Sequence, residues 1–337
     1  MTKLITFSDI HFGKKSNSNH FNEQAVKTVD QIIDTAKEYD IKYGCFCGDW
    51  FNDRINIKSN TLHYSSIALS RLNTYFKSVG GKLYFILGNH DLYYRNSRDI
   101  TGLRFLDEYS NIEIIDEPQD VTIETTTISL FPWMVESDDI AKHITDAKGT
   151  YAFCHAEFRN FKWNSNSSML TKGLPLDAFS KFKHVYSGHY HLRQSEGNIT
   201  YLGSPQQQDF GDSNCERGWN IIDLSDGSLT FFENVLSSKY HIIKLSELGD
   251  KISLVTNNHV KIVEDIETHS DQFNQIYEAL MNKSPASLVF EHKKSDGEET
   301  VDVSDEEIES LEHLLISLVD ESDERIEQRK ELLVGKI

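Results

Sequence analysis

Five short motifs hold most of the side chains in this chain whose types and spacing could do chemistry, and each follows an apolar run. They are SDIHFG at Ser8–Gly13, GDWFND at Gly48–Asp53, GNHD at Gly88–Asp91, CHAE at Cys154–Glu157 and GHYH at Gly188–His191. Together they supply carboxylates, imidazoles and an amide, the set that two divalent cations acting on a phosphoester would need. Their glycines let backbone segments approach such a site closely.

The motifs contain a set of candidate metal ligands. Asp9 and His11 lie two residues apart after the first apolar run, so both can converge on one ion. The Asp49 carboxylate has two oxygens and can bridge two ions. Mixed nitrogen and oxygen ligation suits Mn²⁺, Fe²⁺ or Zn²⁺ better than Ca²⁺, so we expect two divalent ions of this kind, with Mg²⁺ as a further candidate. The candidate ligands are Asp9, His11, Asp49, Asn89, His155, His189 and His191.

Two further residues of the third motif are candidate catalytic groups. His90 stands beside a candidate ligand without being needed as one, so it can stabilise a transition state or protonate a leaving oxygen. Asp91 is expected to orient the His90 ring. A lone histidine is more often structural, and only the full set of motifs favours the metal interpretation. Trp133 is expected in the core rather than as a stacking platform.

Charge is unevenly distributed along the 337 residues. The net charge is −19, and residues 295–337 hold 15 Asp and Glu against 4 Lys and Arg. This composition argues against a generally basic surface for nucleic acid. A polyanionic substrate would therefore need local basic clusters or a partner subunit.

The cysteines and the apolar runs indicate a reducing compartment. The four cysteines are too few and too irregularly spaced for a disulfide scaffold. Cys45 and Cys47 are expected to share one buried face. No run of uncharged apolar residues is long enough to span a membrane, and the first residues do not resemble a signal peptide. We therefore expect a cytoplasmic protein with no membrane association.

Short β-branched or aromatic runs alternate with helical periodicity up to about residue 187, which predicts βαβ units and an α/β fold. Each predicted strand ends where a motif begins, and ligand sites in such sheets form at the carboxyl ends of strands. The predicted strands are Leu4–Ser8, Tyr43–Gly48, Leu83–Leu87, Ile128–Pro132, Tyr151–Cys154 and His184–Ser187, and the predicted helices are Asn22–Tyr39, Ser59–Val79, Thr101–Tyr109 and Asp138–Asp146.

Four segments are predicted from the changes in pattern. Residues 1–236 form the main domain, in which short strands after residue 198 complete a two-layered sandwich. Residues 240–294 have strand and helix patterns that suit a small accessory domain, and residues 295–303 form an acidic linker. Residues 304–337 begin with a capping box and continue with apolar residues at helical spacing, which predicts a helical segment.

In this order, the motifs resemble those of the calcineurin-like metallophosphoesterase superfamily over about residues 1–232. The resemblance implies a β-sandwich flanked by helices, with a small α+β capping domain and a C-terminal helical tail. It also implies that His90 is the catalytic histidine. The ion sites that it implies are Asp9, His11, Asp49 and His191 for one, and Asp49, Asn89, His155 and His189 for the other.

Finer features are similar to one branch, the SbcD/Mre-type nuclease subunits that process DNA double-strand breaks, including the T-even-type phage recombination nucleases. They are the GDWF pattern, the Tyr-rich loop after GNHD and Tyr201–Pro205; Asn52 stands where many of these proteins have a second histidine. This resemblance implies Mn²⁺-dependent exonuclease and endonuclease action in DNA repair, recombination and replication. It further implies a homodimer and an SbcC/Rad-type coiled-coil ATPase that binds residues 304–337. A phage protein would act in the host cytoplasm.

Basic and polar residues on the loops that leave the predicted centre are candidates for binding the DNA backbone. A single surface lysine is usually only a solvated side chain, so the shared location is the argument for the group. The candidates are Lys14, Lys15, Asn52, Arg54, Lys58, Arg95, Arg98 and Lys162.

Two other functions remain open from the sequence. One is a small-molecule phosphodiesterase or nucleotidase on the same fold, which would need neither the small domain nor the tail. The other is a metal-binding scaffold that regulates an ATPase without cleaving anything. The acidic tail itself is either a docking helix or a solvated segment packed on its own domain.

Overall fold

The computed structural model describes residues 2–135, 137–163, 167–266 and 270–291. The predicted linker 295–303 and the predicted helical segment 304–337 lie outside the described residues. Within the described ranges, none of the helices has the length and apolar character needed to cross a membrane.

The described residues form strands and helices in alternation. The strands are β1 (Lys3–Phe7), β2 (Tyr43–Cys47), β3 (Lys82–Ile86), β4 (Ile112–Ile115), β5 (Gln119–Ile123), β6 (Thr126–Phe131), β7 (Tyr151–His155), β8 (His184–Gly188), β9 (Gln194–Glu196), β10 (Ile199–Tyr201), β11 (Gly218–Asp223), β12 (Leu229–Glu233), β13 (Tyr240–Lys244), β14 (His259–Val263) and β15 (Ser287–Glu291). The helices are α1 (Lys14–Asn17, a short turn), α2 (Asn19–Glu38), α3 (Ser59–Ser78), α4 (Ser137–Asp146), α5 (Leu248–Lys251) and α6 (Ser270–Met281).

The first sheet has the order β12–β11–β1–β2–β3–β4. Strands β1 to β4 run parallel, whereas β11 pairs antiparallel with β1 and brings a late part of the chain to the middle of the sheet. Residues on both faces of β1, β2 and β3 are buried. This is why the three segments have continuous apolar runs rather than an alternating pattern.

The second sheet has the order β5–β6–β7–β8–β10–β9. Its central strands β6, β7, β8 and β10 are parallel, and the edge strands β5 and β9 are antiparallel to their neighbours. The two sheets pack face to face around a core that includes Leu4 and Cys47 from the first sheet and Tyr151 and Phe153 from the second. Cys45 also lies in this core, which confirms the shared buried face predicted for the two cysteines.

Helices cover the outer face of each sheet. Helices α2 and α3 pack on the first sheet through a core that contains Ile32, Leu72 and Phe46. Helix α4 packs on the second sheet through Ile140 and Phe131. The layers therefore run helix, sheet, sheet, helix, and the predicted α/β sandwich flanked by helices is confirmed.

The predicted helix at Thr101–Tyr109 is wrong. Only Arg104–Glu108 is helical, as a short 3₁₀ helix. The Thr101 hydroxyl donates to the carbonyl of Asp91 and accepts from the amide of Leu103, so local bonds replace the first turn of an α-helix. Strands β4, β5 and β9 were not predicted either, because they are short and largely solvent-facing on one side.

Residues 240–291 contain a separate parallel sheet in the order β13–β14–β15. It has its own small core, which includes Ile243, Val260, Ile262 and Leu280. Helix α6 contributes Leu280 to this core, and its Ile276 packs against it. The domain boundaries at 236, 240 and 294 stay predictions.

Candidate metal centre

The predicted ligands come together at the carboxyl ends of the parallel strands, where the two sheets meet. The first sheet supplies Asp9, His11, Asp49 and Asn89 from the segments after β1, β2 and β3. The second supplies His155 from the end of β7, and His189 and His191 from the segment after β8. The described residues contain two groups whose ligand atoms lie within 4.8 Å of one another, namely Asp9, His11 and His191, and Asp49, His155 and His189.

The first group is built around a pair of imidazoles. The Nε2 atoms of His11 and His191 lie 3.0 Å apart. One oxygen of Asp9 lies 3.8 Å from the His11 nitrogen and 3.9 Å from the His191 nitrogen. Two ring nitrogens and a carboxylate oxygen therefore converge on one small volume.

The second group includes the amide of Asn89. Its side-chain oxygen lies 2.9 Å from Nε2 of His155 and 3.0 Å from Nδ1 of His189. The Oδ2 atom of Asp49 lies 3.4 Å from the same His155 nitrogen. Asn89 contributes a neutral oxygen, so the group carries less negative charge than a second carboxylate would give it.

Asp49 belongs to the second group and also reaches the first. Its Oδ2 atom is 3.8 Å from Nε2 of His11 in the first group and 3.4 Å from Nε2 of His155 in the second. The other oxygen, Oδ1, accepts a hydrogen bond from the backbone amide of His90. This position suits a carboxylate that bridges two ions.

Several candidate ligands have a left-handed backbone. The φ angles are 54° at Asp9, 54° at His11, 62° at Asp49 and 96° at His189. Residues other than glycine adopt this backbone conformation at a cost of roughly 1–2 kcal/mol per residue. Such strain is characteristic of functional sites, where the surrounding fold holds residues in an otherwise disfavoured geometry.

Backbone groups hold these side chains in place. The carbonyl of Cys47 accepts a hydrogen bond from Nδ1 of His155, which leaves Nε2 directed at Asp49 and Asn89. The amide of His189 donates to both oxygens of Asp9. Ligands of one sheet are thus fixed by the backbone of the other.

Asp91 has a different role from the one predicted. Its carboxylate accepts hydrogen bonds from the amides of Gly88, Asp49, Trp50 and Phe51. These four donors occupy the carboxylate, so Asp91 fixes the loop that carries Asp49 and does not orient the His90 ring.

The His90 ring is instead held by Asn52. Nδ1 of His90 lies 2.6 Å from the Asn52 carbonyl oxygen, which can only accept a hydrogen bond. The neutral ring therefore carries its proton on Nδ1. The ring lies edge-on to that of His11, with 5.0 Å between centroids. His90 thus borders the first group without joining it.

Burial and mutual charge shift the acid–base behaviour of the centre. Burial raises the pKa of Asp9 to about 7 and that of Asp91 to about 7, and the charge of Asp49 adds to both shifts. Burial opposes the charged form of His155, but Asp49 outweighs it and raises the pKa of that imidazole to about 9. Burial, together with the charge of His155, lowers the pKa of His189 to about 3. His189 is therefore neutral, the form that binds a divalent ion, whereas Asp9 and His155 would have to lose a proton when an ion binds.

The donor set fits two divalent cations. Asp9 and Asp49 are buried carboxylates in one small space, and uncompensated like charges there are costly. Imidazole nitrogens and carboxylate or amide oxygens are suitable ligands for first-row transition metals, and the groups contain no thiolate. The structure thus has two candidate metal-binding clusters that share Asp49.

Two of the predicted DNA-binding cations lie near the centre. Lys14 and Arg54 both interact with the charge of Asp49, and burial lowers the pKa of each. Arg95 is exposed and lies close enough to Arg54 for their charges to repel. These cations are the local positive charge that the acidic chain offers at the centre.

In the part of the chain that the structure describes, the other residues predicted to bind DNA have no comparable interaction with the charge of the centre. Arg98 donates to the carbonyl of Asp116 and forms an ion pair of 3.0 Å with Glu117, so its charge is already paired. Asn52 is half-buried and contacts His90 through its backbone. Of the remaining candidates, Lys15 and Lys58 are exposed and Lys162 is half-buried.

Two tryptophans beside the centre were not recognised as parts of it. Trp133 is half-buried and packs against the core, as predicted, but its ring centroid is also 5.0 Å from that of His189. Trp163 is 48% exposed and lies 6.1 Å from the ring of His191. The sequence offered one signal that these two aromatic residues border the centre: Trp133 follows a predicted strand, and Trp163 follows the CHAE motif.

We expect Gly188→Ala to destabilise the protein and disturb the centre. A Cβ at Gly188 would lie 2.0 Å from Oγ of Ser8 and 2.2 Å from the Cys47 carbonyl oxygen. Overpacking of this kind typically costs about 1–3 kcal/mol. The measurement is the free energy of unfolding by urea. Gly249→Ala is the control, because a Cβ there meets nothing within 4 Å; equal stabilities of the two variants would contradict the prediction.

Comparison with known proteins supports the family predicted from the motifs. The family profile described as Calcineurin-like phosphoesterase matches residues 2–193. Exonuclease subunit 1 of Enterobacteria phage T4 is 27% identical over 318 residues, which cover 93% of this chain and 91% of the phage protein.

Two solved structures are similar to this chain over about two thirds of its length, at low sequence identity. An archaeal phosphodiesterase is 9% identical with a TM-score of 0.37, and covers 69% of this chain and 100% of its own. A dimetal phosphatase from Danio rerio is 10% identical with a TM-score of 0.38, and covers 66% of this chain and 92% of its own. Since the family profile matches more than half of the residues, the chain belongs to the calcineurin-like phosphoesterase family.

Proposed function

We propose that the chain is the nuclease subunit of an SbcCD/Mre-Rad-type complex that processes DNA ends in recombination, repair and replication. It would hydrolyse phosphodiester bonds as both an exonuclease and an endonuclease. The observation that carries this proposal is the position of Asp49 between two clusters of ligands, beside His90. The similarity of 93% of the chain to a phage exonuclease subunit supports DNA as the substrate.

Each ligand has a place in this proposal. When bound, two divalent ions, preferably Mn²⁺, would polarise the phosphoryl oxygen and activate water for in-line attack. Asn89 keeps the charge of the second site low, and the Cys47 carbonyl fixes the coordinating nitrogen of His155. The ligands would be Asp9, His11, Asp49 and His191 for one ion, and Asp49, Asn89, His155 and His189 for the other.

His90 would handle charge and protons at the reacting phosphate. The Asn52 carbonyl accepts from Nδ1, so a proton on Nε2 makes the ring an imidazolium. That cation can stabilise the charge that develops on the phosphoryl oxygens and can protonate the leaving oxygen. Asp91 acts indirectly, because it fixes the amides of the loop that carries Asp49.

Binding of DNA would rely on local cations and on a partner. Phosphate neutralisation supplies most non-specific affinity for DNA, and the chain as a whole is strongly acidic. Lys14 and Arg54 lie near the centre and would contact the backbone next to the scissile phosphate. We propose that residues 304–337 dock on an SbcC/Rad-type coiled-coil ATPase, which would hold the rest of the DNA, and that the subunit is a homodimer.

The deciding experiment is Mn²⁺-dependent cleavage of end-labelled duplex and single-stranded DNA by the full chain, with and without the ATPase. Bis-p-nitrophenyl phosphate is tested beside them as a small diester. Cleavage of DNA that stops on chelation supports the nuclease. Turnover of the small diester with DNA intact, even with the ATPase present, would instead identify a small-molecule phosphodiesterase, and no turnover of either would leave a scaffold.

Divalent ions should stabilise the protein more at high pH than at low pH. Asp9 has a pKa raised to about 7, and His155 has a pKa raised to about 9. A pKa that is raised in the folded state means that the folded protein binds the proton more tightly than the unfolded chain does. Protonation of these groups therefore contributes to the free energy of unfolding at low pH, and this contribution is lost as the pH rises through 7 to 9. The metal-free protein should therefore be less stable at pH 8.5 than at pH 6.5.

Bound ions would reverse that loss, because they need the deprotonated ligands. One site at about 100 times its Kd contributes about 2.7 kcal/mol, which corresponds to several degrees in Tm. The measurement is Tm by calorimetry with Mn²⁺ or with a chelator at both pH values. A Mn²⁺-induced rise that is equal at pH 6.5 and 8.5 would show that these groups are not ligands.

A further inference from the structure

A pocket of about 200 Å³ adjoins the second ligand group and has no assigned role. It shares a wall with the centre, because His155 lines it. Pockets for drug-sized ligands begin at about 300 Å³, so this one suits a smaller group such as a single planar ring system. Any such group would lie next to a phosphate held at the centre.

The walls of the pocket are mostly apolar. Trp133 provides an aromatic wall of the pocket. Its backbone amide donates to the carbonyl of Leu87, the residue after β3, and this hydrogen bond fixes the segment that carries Trp133. The ring of Trp133 lies 5.0 Å from that of His189. The other apolar lining residues are Met134, Val135, Ile140, Ala156 and Leu174.

Glu157 is the acidic group of this pocket. It is half-buried, and its backbone carbonyl accepts from the amide of Leu174, which holds the two lining segments together. Gly173 has a φ of 105°, and a Cβ there would lie 2.6 Å from that same carbonyl. The hydroxyl of the buried Tyr190 donates to the carbonyl of Phe158, and the nearby charge of Glu157 adds to the effect of burial in raising the pKa of Tyr190. A hydroxyl has one proton to donate, so this bond leaves the acceptor capacity of the Glu157 carboxylate available to a ligand.

We propose that this pocket binds the nucleobase next to the scissile phosphate, with Trp133 as its stacking surface and Glu157 as its hydrogen-bond acceptor. This inference rests on the proposed nuclease function and adds a base-binding subsite to it. Stacking on an aromatic side chain tolerates every base, because each has a π-face. The carboxylate adds a preference for bases that present donors.

Guanine is the base that a carboxylate should favour. Its Watson–Crick edge presents two adjacent N–H donors, which match the two oxygens of a carboxylate. Adenine and cytosine present one amino group, and the single imide N–H of thymine lies between two carbonyl oxygens that a carboxylate repels. The expected order of affinity is guanine first and thymine last.

The test is calorimetric binding of dGMP, dTMP and deoxyribose 5-phosphate to the full chain loaded with Mn²⁺. The sugar phosphate lacks the base but keeps the phosphate. We expect dGMP to bind roughly 5- to 150-fold more tightly than the sugar phosphate, a range that corresponds to ~1–3 kcal/mol at 1.4 kcal/mol per tenfold. We also expect dGMP to bind at least about 5-fold more tightly than dTMP.

Two variants test separately the hydrogen bonds to the Glu157 carboxylate and the insertion of the base into the pocket. Glu157→Gln should abolish the preference for dGMP over dTMP and leave the sugar phosphate unaffected, because an amide offers one acceptor and one donor group. Val135→Phe should fill the pocket and remove the advantage of both nucleotides, without the loss of a core side chain that Trp133→Ala entails. Glu117→Gln is the matched control, since Glu117 is exposed and paired with Arg98.

The outcomes distinguish this inference from the nuclease proposal. If the wild type binds dGMP and deoxyribose 5-phosphate equally, or if Glu157→Gln and Val135→Phe leave the ratios unchanged, the base-binding pocket is wrong even where DNA is cleaved. If binding depends on the base and on both variants while DNA stays intact, the pocket stands and the nuclease proposal fails.

Discussion

Asp49→Asn should reduce diester hydrolysis by about 10³-fold or more. Loss of one preorganised electrostatic group commonly costs about 10²–10³ in kcat, and here one substitution weakens both sites. Oδ2 of Asp49 lies 3.8 Å from Nε2 of His11 in the first group and 3.4 Å from Nε2 of His155 in the second, so this carboxylate reaches both groups. An amide keeps the size of the side chain but has one oxygen and no charge.

Metal content gives this prediction a second readout. Equilibrium dialysis against Mn²⁺ should show about two ions per chain in the wild type and fewer in Asp49→Asn. Asp34→Asn is the control, because Asp34 is a solvent-exposed aspartate on α2 that pairs with Lys37. If Asp49→Asn keeps both ions and activity within tenfold of the wild type, the bridging role is refuted.

His90→Ala should lower kcat on DNA by about 10²–10⁴-fold, the usual contribution of a general acid or base. His90 borders the first group of candidate ligands without belonging to it, so the metal content should stay at the wild-type value. The loss should be smaller for bis-p-nitrophenyl phosphate, because its weakly basic leaving group needs little protonation. That difference between substrates is what a general acid produces and a structural residue does not.

His63→Ala is the control for this variant, since His63 is exposed on α3. Equal losses on DNA and on the small diester would restrict His90 to electrostatic stabilisation. Unchanged activity on both would exclude it from catalysis. A regulatory scaffold would show no activity to lose and an unchanged metal content.

The sequence predicted that these side chains come together, because each candidate ligand ends or follows a buried parallel strand. A run such as Tyr43–Cys47, apolar on both faces, is typical of a central parallel strand, and the carboxyl ends of such strands meet at one edge of the sheet. That reasoning placed Asp9, Asp49 and His155 together without any coordinates. The α/β class followed from the same alternation of strands and helices, whereas the flanking of a sandwich by helices was implied by the resemblance to the family.

Contacts distant in sequence could not be predicted in the same way. Asp91 is next to His90 in the chain, and the expected contact between them was the simplest local arrangement. Only the fold shows that the amides of Asp49 and Trp50 point at Asp91, about 40 residues away in sequence. The pocket beside His155 likewise depends on Trp133 and Gly173, which no periodicity brings together.

Because the ligands come from both sheets, synthesis of the chain delays completion of the centre. The ribosome synthesises the first three motifs, which end at Asp91, long before it reaches His191. It also synthesises them before β11, the strand that pairs with β1. At about 5–20 residues per second, the interval between Asp91 and His191 lasts on the order of ten seconds. Until that interval ends, the nascent chain has its carboxylates without the complete set of imidazoles of the second sheet. Translation therefore couples the appearance of a complete centre to the folding of nearly the whole main domain.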